Sequence, residues 1–158
     1  MLTVSKAERE FHRKVAASSF NQAWDYLDRK NRSPDDDLRM LHLAHASRYH
    51  WGLVGTGENQ AVGEWQLSRI YAELGQHDLA LRFAKASLST CKKNDLDETV
   101  HTAYEAIARA YATAKDSKNA EKYLALARRH LEKLALDKED RKIYLNQIGD
   151  TQRLIDRL

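Results

Sequence analysis

Between Gly63 and Leu88 apolar residues recur every three or four positions in two blocks. Leu67, Ile70, Tyr71 and Leu74 share one side of the first; Leu79, Ala80, Phe83, Ala84, Ser87 and Leu88 share one side of the second. This spacing predicts two amphipathic helices. Gly75 between them predicts a tight turn, because a left-handed helix cap is easiest without a Cβ. Small residues at Ser68, Ala80, Ala84 and Ser87 predict that the two helices approach closely. The pattern returns at an offset of forty: Leu43-Ala44-His45-Ala46-Ser47 maps onto Phe83-Ala84-Lys85-Ala86-Ser87, and that onto Tyr123-Leu124-Ala125-Leu126-Ala127. In the preceding helices Leu27, Leu67 and Ile107 keep the same interval, as do Tyr71 and Tyr111, and Trp24 keeps it with Tyr104 and Tyr144. A period held over three segments predicts an all-α fold, with three helical hairpins stacked into a short solenoid.

Local signals place the boundaries. Ser5 and Glu8 have capping-box spacing, so a first helix starts near Lys6 and runs unbroken through Ser18-Ser19 to about Arg29. Asn31-Arg32-Ser33 is a turn; Pro34 suits a first helical position, and Asp35, Asp36 and Asp37 complement the positive end of the next helix dipole. The hairpins are expected over about 6–53, 59–93 and 97–136, with a capping helix over about 138–157, all within a single domain spanning 1–158. The capping helix turns Tyr144, Ile148, Thr151, Ile155 and Leu158 inward. Its polar face meets water, as the end of a solenoid requires.

The order of large, small and aromatic residues in the helix 63–74, followed by Ala–aromatic–Ala at 79–88, resembles the tetratricopeptide (TPR) repeat. From about Asn21 onward the chain is similar to small bacterial TPR-like proteins. The resemblance implies a right-handed α-solenoid whose first helix of each pair lines a concave surface where peptides bind. Two features depart from the motif: the forty-residue period exceeds the 34 typical of it, and the proline that usually follows the second helix is missing. The geometry implied by the family would expose Asp25 and Arg29, Trp65 and Arg69, and Glu105 and Arg109 along the groove. Arg29, Arg69 and Arg109 then form a ladder able to grip carboxylates by paired hydrogen bonds, with Trp65 as an aromatic anchor. The same spacings also suit surface ion pairs four residues apart. Asp25, Trp65 and Glu105 stand where a chaperone-tail carboxylate clamp would want basic or amide groups.

Two further groups stand out. Glu64 occupies a position held by aromatics at the repeat interval, and Arg48 one held by Leu88, so the two are expected to meet between the first and second hairpins. There they form either a structural salt bridge or a polar pocket beside Trp65. His42 and His45 lie three apart on one helix, a chelating interval without a supporting acid or thiol, so metal is only a weak alternative and a solvated basic face is favoured. Arg82, Lys85, Lys122 and Arg129 fall on the convex side and form a basic stripe.

Composition narrows the function classes. Apolar residues at 42% and charged residues at 31% suit a helical domain with a continuous core. A net charge of +3 is too small to argue for nucleic acid by itself. The lone Cys91 cannot form an intrachain disulfide, and no apolar run is long enough to span a bilayer, so the cytoplasm is the expected compartment. No phosphate loop, nucleophile elbow or paired acid–base group is recognisable. The expectation is therefore a non-enzymatic, cofactor-free protein-interaction module that binds a peptide or partner segment in its groove. The alternative is a regulatory module holding nucleic acid or an acidic partner on the convex stripe.

Overall fold

The computed structural model describes residues 4–158, and the regular structure among them is entirely helical. The helices are α1 (Lys6–Leu27), α2 (Pro34–Val54), α3 (Gly57–Glu73), α4 (His77–Lys93), α5 (Val100–Thr113), α6 (Ser117–Glu132) and α7 (Lys138–Ile155). Their starts are written in the sequence. Ser5, Ser33 and Thr56 each accept the backbone N–H three residues on, and Glu8, Asp36 and Asn59 return the bond to complete capping boxes. Asp116 and Asp137 cap α6 and α7 in the same way from one side. Ser18 and Ser19 lie inside an unbroken α1.

The helices pack as successive hairpins, α1 with α2, α3 with α4 and α5 with α6, and α7 closes on α5 and α6. Among the described residues α3 lies directly against α5, and α5 against α7, whereas no comparably extensive approach joins α2, α4 and α6, and α2 meets α4 through side chains such as the His45 and Phe83 rings. The odd-numbered helices therefore form an inner layer and the even-numbered ones a splayed outer layer, a helical-repeat arrangement. The forty-residue interval marks where each outer helix meets its partner. Met40, Ala80 and Ala120 are buried, as are Ala44, Ala84 and Leu124, and Ser47, Ser87 and Ala127. Ser47 Oγ donates to the Ala16 carbonyl at 2.8 Å, and Ser87 Oγ to that of Ala61 at 2.9 Å. Each such buried bond contributes about 1 kcal/mol, and a larger side chain there would hold the helices apart.

These two bonds also reveal an offset that the apolar letters conceal. Ser47 and Ser87 are forty residues apart, but their acceptors Ala16 and Ala61 are forty-five apart. The α1–α2 connection is longer than the α3–α4 connection, and α2 starts earlier than its repeat position, so α1 sits five residues out of the expected register. Trp24 thus stands level with Arg69 and Arg109, not with Glu64, Tyr104 and Tyr144. Leu27 falls level with Ala72 instead of Leu67.

Other boundaries shift for local reasons. Asp95, at φ 52°, lets the Leu96 N–H reach back to the Cys91 carbonyl, and Thr99 N–H then bonds to Leu96, so α5 begins at Val100 and not at Asp97. α6 stops at Glu132, and Arg141 donates to the carbonyls of Leu131 and Leu134, while Leu134 and Leu136 tuck against the core. Ile148, Thr151 and Ile155 are buried as expected, but Leu158 lies beyond the end of α7 and is 53% exposed.

Gly75 adopts φ 71°, and Lys115, forty residues on, adopts φ 62° at the equivalent turn. A left-handed conformation costs a residue with a Cβ about 1 kcal/mol relative to glycine. We predict that Gly75→Ala lowers, and Lys115→Gly raises, the unfolding free energy in urea by about that amount. Changes of the same sign would contradict the shared turn geometry.

Candidate functional site

The inner layer carries a row of large side chains. Trp65 and Arg69 lie one turn apart on α3, and Glu105 and Arg109 occupy the matching positions on α5. The displaced register of α1 brings Trp24 to the same row, its ring 5.5 Å from that of Trp65 and 5.7 Å from the Arg69 guanidinium carbon. This row is not a solvated surface. Arg109 is only 8% exposed and Glu105 only 2%, because α7 covers them. Arg109 Nε meets Glu105 Oε1 at 3.1 Å, and the Thr151 hydroxyl of α7 donates to the same oxygen. Glu105 and Arg109 thus form a buried pair, which the i,i+4 spacing alone did not disclose.

Among the described residues Arg69 has no salt-bridge partner. Burial, and then the neighbouring Arg109 charge, pull its pKa below the usual arginine value, with Glu105, Asp150 and Glu73 acting in the opposite direction. Three donors of the row, Trp65 Nε1, Arg69 Nη1 and Arg109 Nη2, are buried without an acceptor among the described residues. Leaving such groups unpaired is costly, the more so for a guanidinium.

Trp65, Arg69, Glu105 and Arg109 are therefore brought together, whereas Asp25 and Arg29 stand apart from them. Arg29 follows the C-cap of α1, lies 4.2 Å over the Tyr26 ring and pairs with Asp36 at 3.5 Å. Asp25 is exposed on α1. The three-rung arginine ladder is corrected to two rungs, because the offset of α1 carries Arg29 into the turn and puts Trp24 in its place.

Two cavities border the row, and another adjoins one of them through Glu58 and Val62. One of about 350 Å³ lies where α1 stands off from α3, lined by Ala17, Phe20, Asn21, Trp51, Asn59 and Val62 among others. A second, of about 150 Å³, is shared by Val62, Trp65, Thr102, Tyr144 and Gln147, with Glu58 and Glu98 at its rim. The third, of about 290 Å³, is lined by Ala72, Glu73, Arg109, Thr113 and Leu154.

Arg48 and Glu64 do meet. Arg48 Nη2 and Nε reach Glu64 Oε1 at 2.8 and 3.2 Å, and Thr90 Oγ1 donates to Oε2 at 2.7 Å. A Cβ on Gly63 would lie 3.1 Å from Arg48 Cδ, and one on Gly52 3.0 Å from Nη1, so the arginine threads between two glycines. Both carboxylate oxygens of Glu64 are satisfied, and the group ties the first hairpin to the second. Thr90 carries no sequence signal for this role.

The histidines divide by environment. His42 is exposed, while His45 Nε2 lies 2.8 Å from the Tyr71 hydroxyl and its ring stands edge-on to Tyr71 and Phe83. His50 pairs with His12 of α1, Nδ1 to Nδ1 at 2.7 Å, a contact visible only once α1 is laid against α2. Among the described residues no group of three or more His, Cys, Asp or Glu is arranged to hold a metal. His101 is 2% exposed, edge-on to Tyr144 at 4.4 Å, and burial pushes its pKa down to about 4. Arg82, Lys85, Lys122 and Arg129 are exposed on the outer helices. Among the described residues no helix is long and apolar enough to cross a membrane.

Comparison with protein-family models, with curated proteins and with solved structures gives no match.

The half-buried ion pair and the buried imidazole each yield a prediction. Arg48→Met strands Glu64 and is expected to lower stability by about 3 kcal/mol, and the double variant Arg48→Met/Glu64→Leu should lose clearly less than the sum of the single losses. Additive losses in urea titrations would contradict the coupling. For His101, the folded pKa of about 4 lies below the ordinary histidine value of about 6.5, so the unfolded chain takes up the proton first as pH falls. Its contribution to stability is fully present above about pH 6.5 and declines towards pH 4. His101→Phe should flatten that decline, and an unchanged pH profile would contradict the assignment.

Proposed function

We propose that the protein is a non-enzymatic interaction module of the tetratricopeptide-like kind, a right-handed solenoid domain that holds an extended segment of a partner protein against its inner face. The observation that carries this reading is a pair of adjoining cavities beside Trp65 that share Glu58 and Val62, with a further cavity at Arg109. Val62 lines the first two, Trp65 the second, and Arg109 the third. The Trp24–Trp65 pair gives the face a rigid aromatic wall of the kind that anchors binding hot spots. Binding is favoured over catalysis because Glu105, the buried carboxylate of the row, is already committed to Arg109 and Thr151. A reducing compartment such as the cytoplasm suits the unpaired Cys91, whose thiol is buried and whose pKa is pushed up to about 11.

Peptides selected from a random displayed library against the wild-type protein are expected to bind with Kd near 1 μM, about −8 kcal/mol. Val62→Arg, which places a charge between the first two cavities, should weaken them at least tenfold, and Lys85→Glu/Lys122→Glu on the outer helices should leave them unchanged. The reverse pattern, with loss on the outer variant and steep salt dependence, would contradict the groove and favour the basic outer row.

A further inference from the structure

We infer that the inner face contains a seat for one carboxylate, built by Trp65 Nε1, Arg69 Nη1 and Arg109 Nη2, and that the bound segment supplies it from an aspartate or glutamate side chain. The inference rests on the groove reading and adds the chemistry of its ligand.

Three of the orphaned groups on the inner helices, Trp65 Nε1, Arg69 Nη1 and Arg109 Nη2, are donors by nature, and the fourth, His101 Nε2, lies two turns from Arg109 on α5, with its ring against Tyr144. Trp65 and Arg69 are a turn apart on α3, and Arg109, whose charge Arg69 feels, holds the matching place on the neighbouring helix α5. The one orphaned acceptor nearby in sequence, Gln66 Oε1, belongs to the side of α3 that faces α1, where the same amide donates to the Phe20 carbonyl at 3.0 Å. What the row lacks is therefore an acceptor.

Charge decides which acceptor. Arg69 and Arg109 contribute two positive charges and Glu105 one negative, which leaves an excess of one. The other acids that Arg69 senses have partners of their own: Glu73 faces Arg32 at 3.5 Å, and Asp150 pairs with Arg153. A carboxylate monoanion neutralises the excess. A phosphate dianion would overshoot it, in a buried place where uncompensated charge is expensive. The planar guanidinium and the indole N–H suit two oxygens in one plane.

Stability alone gives no reason for Arg69. Two buried guanidinium groups side by side repel, and an apolar side chain of the same length would fill the space at lower cost. A locally unfavourable residue held in a groove by an aromatic ring, here Trp24 at 5.7 Å, is a preorganised binding group. The cavities beside Trp65 and Arg109 give an approach from either side.

The test is thermal unfolding of the wild type, Arg69→Met and Trp65→Phe at constant ionic strength, with N-acetylglutamate amide, its glutamine counterpart or inorganic phosphate added. The glutamate compound is expected to raise the Tm of the wild type in a concentration-dependent way. Arg69→Met should start from a higher Tm and show no shift, and Trp65→Phe should show a smaller shift than the wild type. Equal shifts with the glutamine compound, a larger shift with phosphate, or equal shifts in Arg69→Met would each overturn the proposal. The displayed peptides separate the two readings. Peptides that lose binding on Val62→Arg but bind Arg69→Met as tightly as the wild type leave the groove standing and overturn the carboxylate seat. If no peptides bind at all, the groove falls, and the small-molecule shifts still decide the seat.

Discussion

Each hairpin closes around positions where side chains no larger than serine or alanine let two helices come together. Ser47, Ser87 and Ala127 are fully buried at this place in the three hairpins, and in two of them the serine hydroxyl bonds to the facing helix's backbone. Such a contact combines dispersion over closely approaching backbones with a hydrogen bond that satisfies an otherwise single-bonded carbonyl. It also fixes the height of one helix against the other. Because α3 and α5 are both held by their outer partners at the same height, their inner side chains form level rows, and Arg69 comes to stand beside Arg109.

The first hairpin obeys the same constraint with a different offset, and this gives the inner face its character. The five-residue slide of α1 removes Arg29 from the row and inserts Trp24, whose ring meets Trp65 and Arg69. Bulky side chains at this junction keep α1 away from α3 and open the cavity at Phe20 and Val62. The outer side of the same junction is closed by Arg48, Glu64 and Thr90, with Gly52 and Gly63 making room for the arginine. The polar fastening and the open inner cleft thus mark opposite sides of a single junction.

What was legible in the sequence follows from which interactions are local. Helix stripes, caps and the turn at Gly75 depend on neighbours within a few residues, and the outer-helix register depends on small residues that recur at forty. The Arg48–Glu64 contact was readable because each residue breaks an apolar position. The slide of α1 was hidden because Leu27, Leu67 and Ile107 still match at forty, while the length of the first connection sets the true register. The spacing of Glu105 and Arg109 announced a pair but not its burial, which α7 imposes from more than forty residues away. The orphaned donors of Trp65, Arg69 and Arg109 had no sequence signature, since a missing acceptor is a property of the packed chain.

The account rests on close approach at the repeated small positions, and comparing two substitutions in α4 tests it most directly. Ser87 is fully buried, whereas Ser89, two residues on, is exposed. Measured by urea unfolding, Ser87→Leu is predicted to lower stability by about 3 kcal/mol, by overpacking the contact and removing the second hydrogen bond to the Ala61 carbonyl. Ser89→Leu should change it by no more than about 0.5 kcal/mol. Equal effects at the two positions would contradict the account.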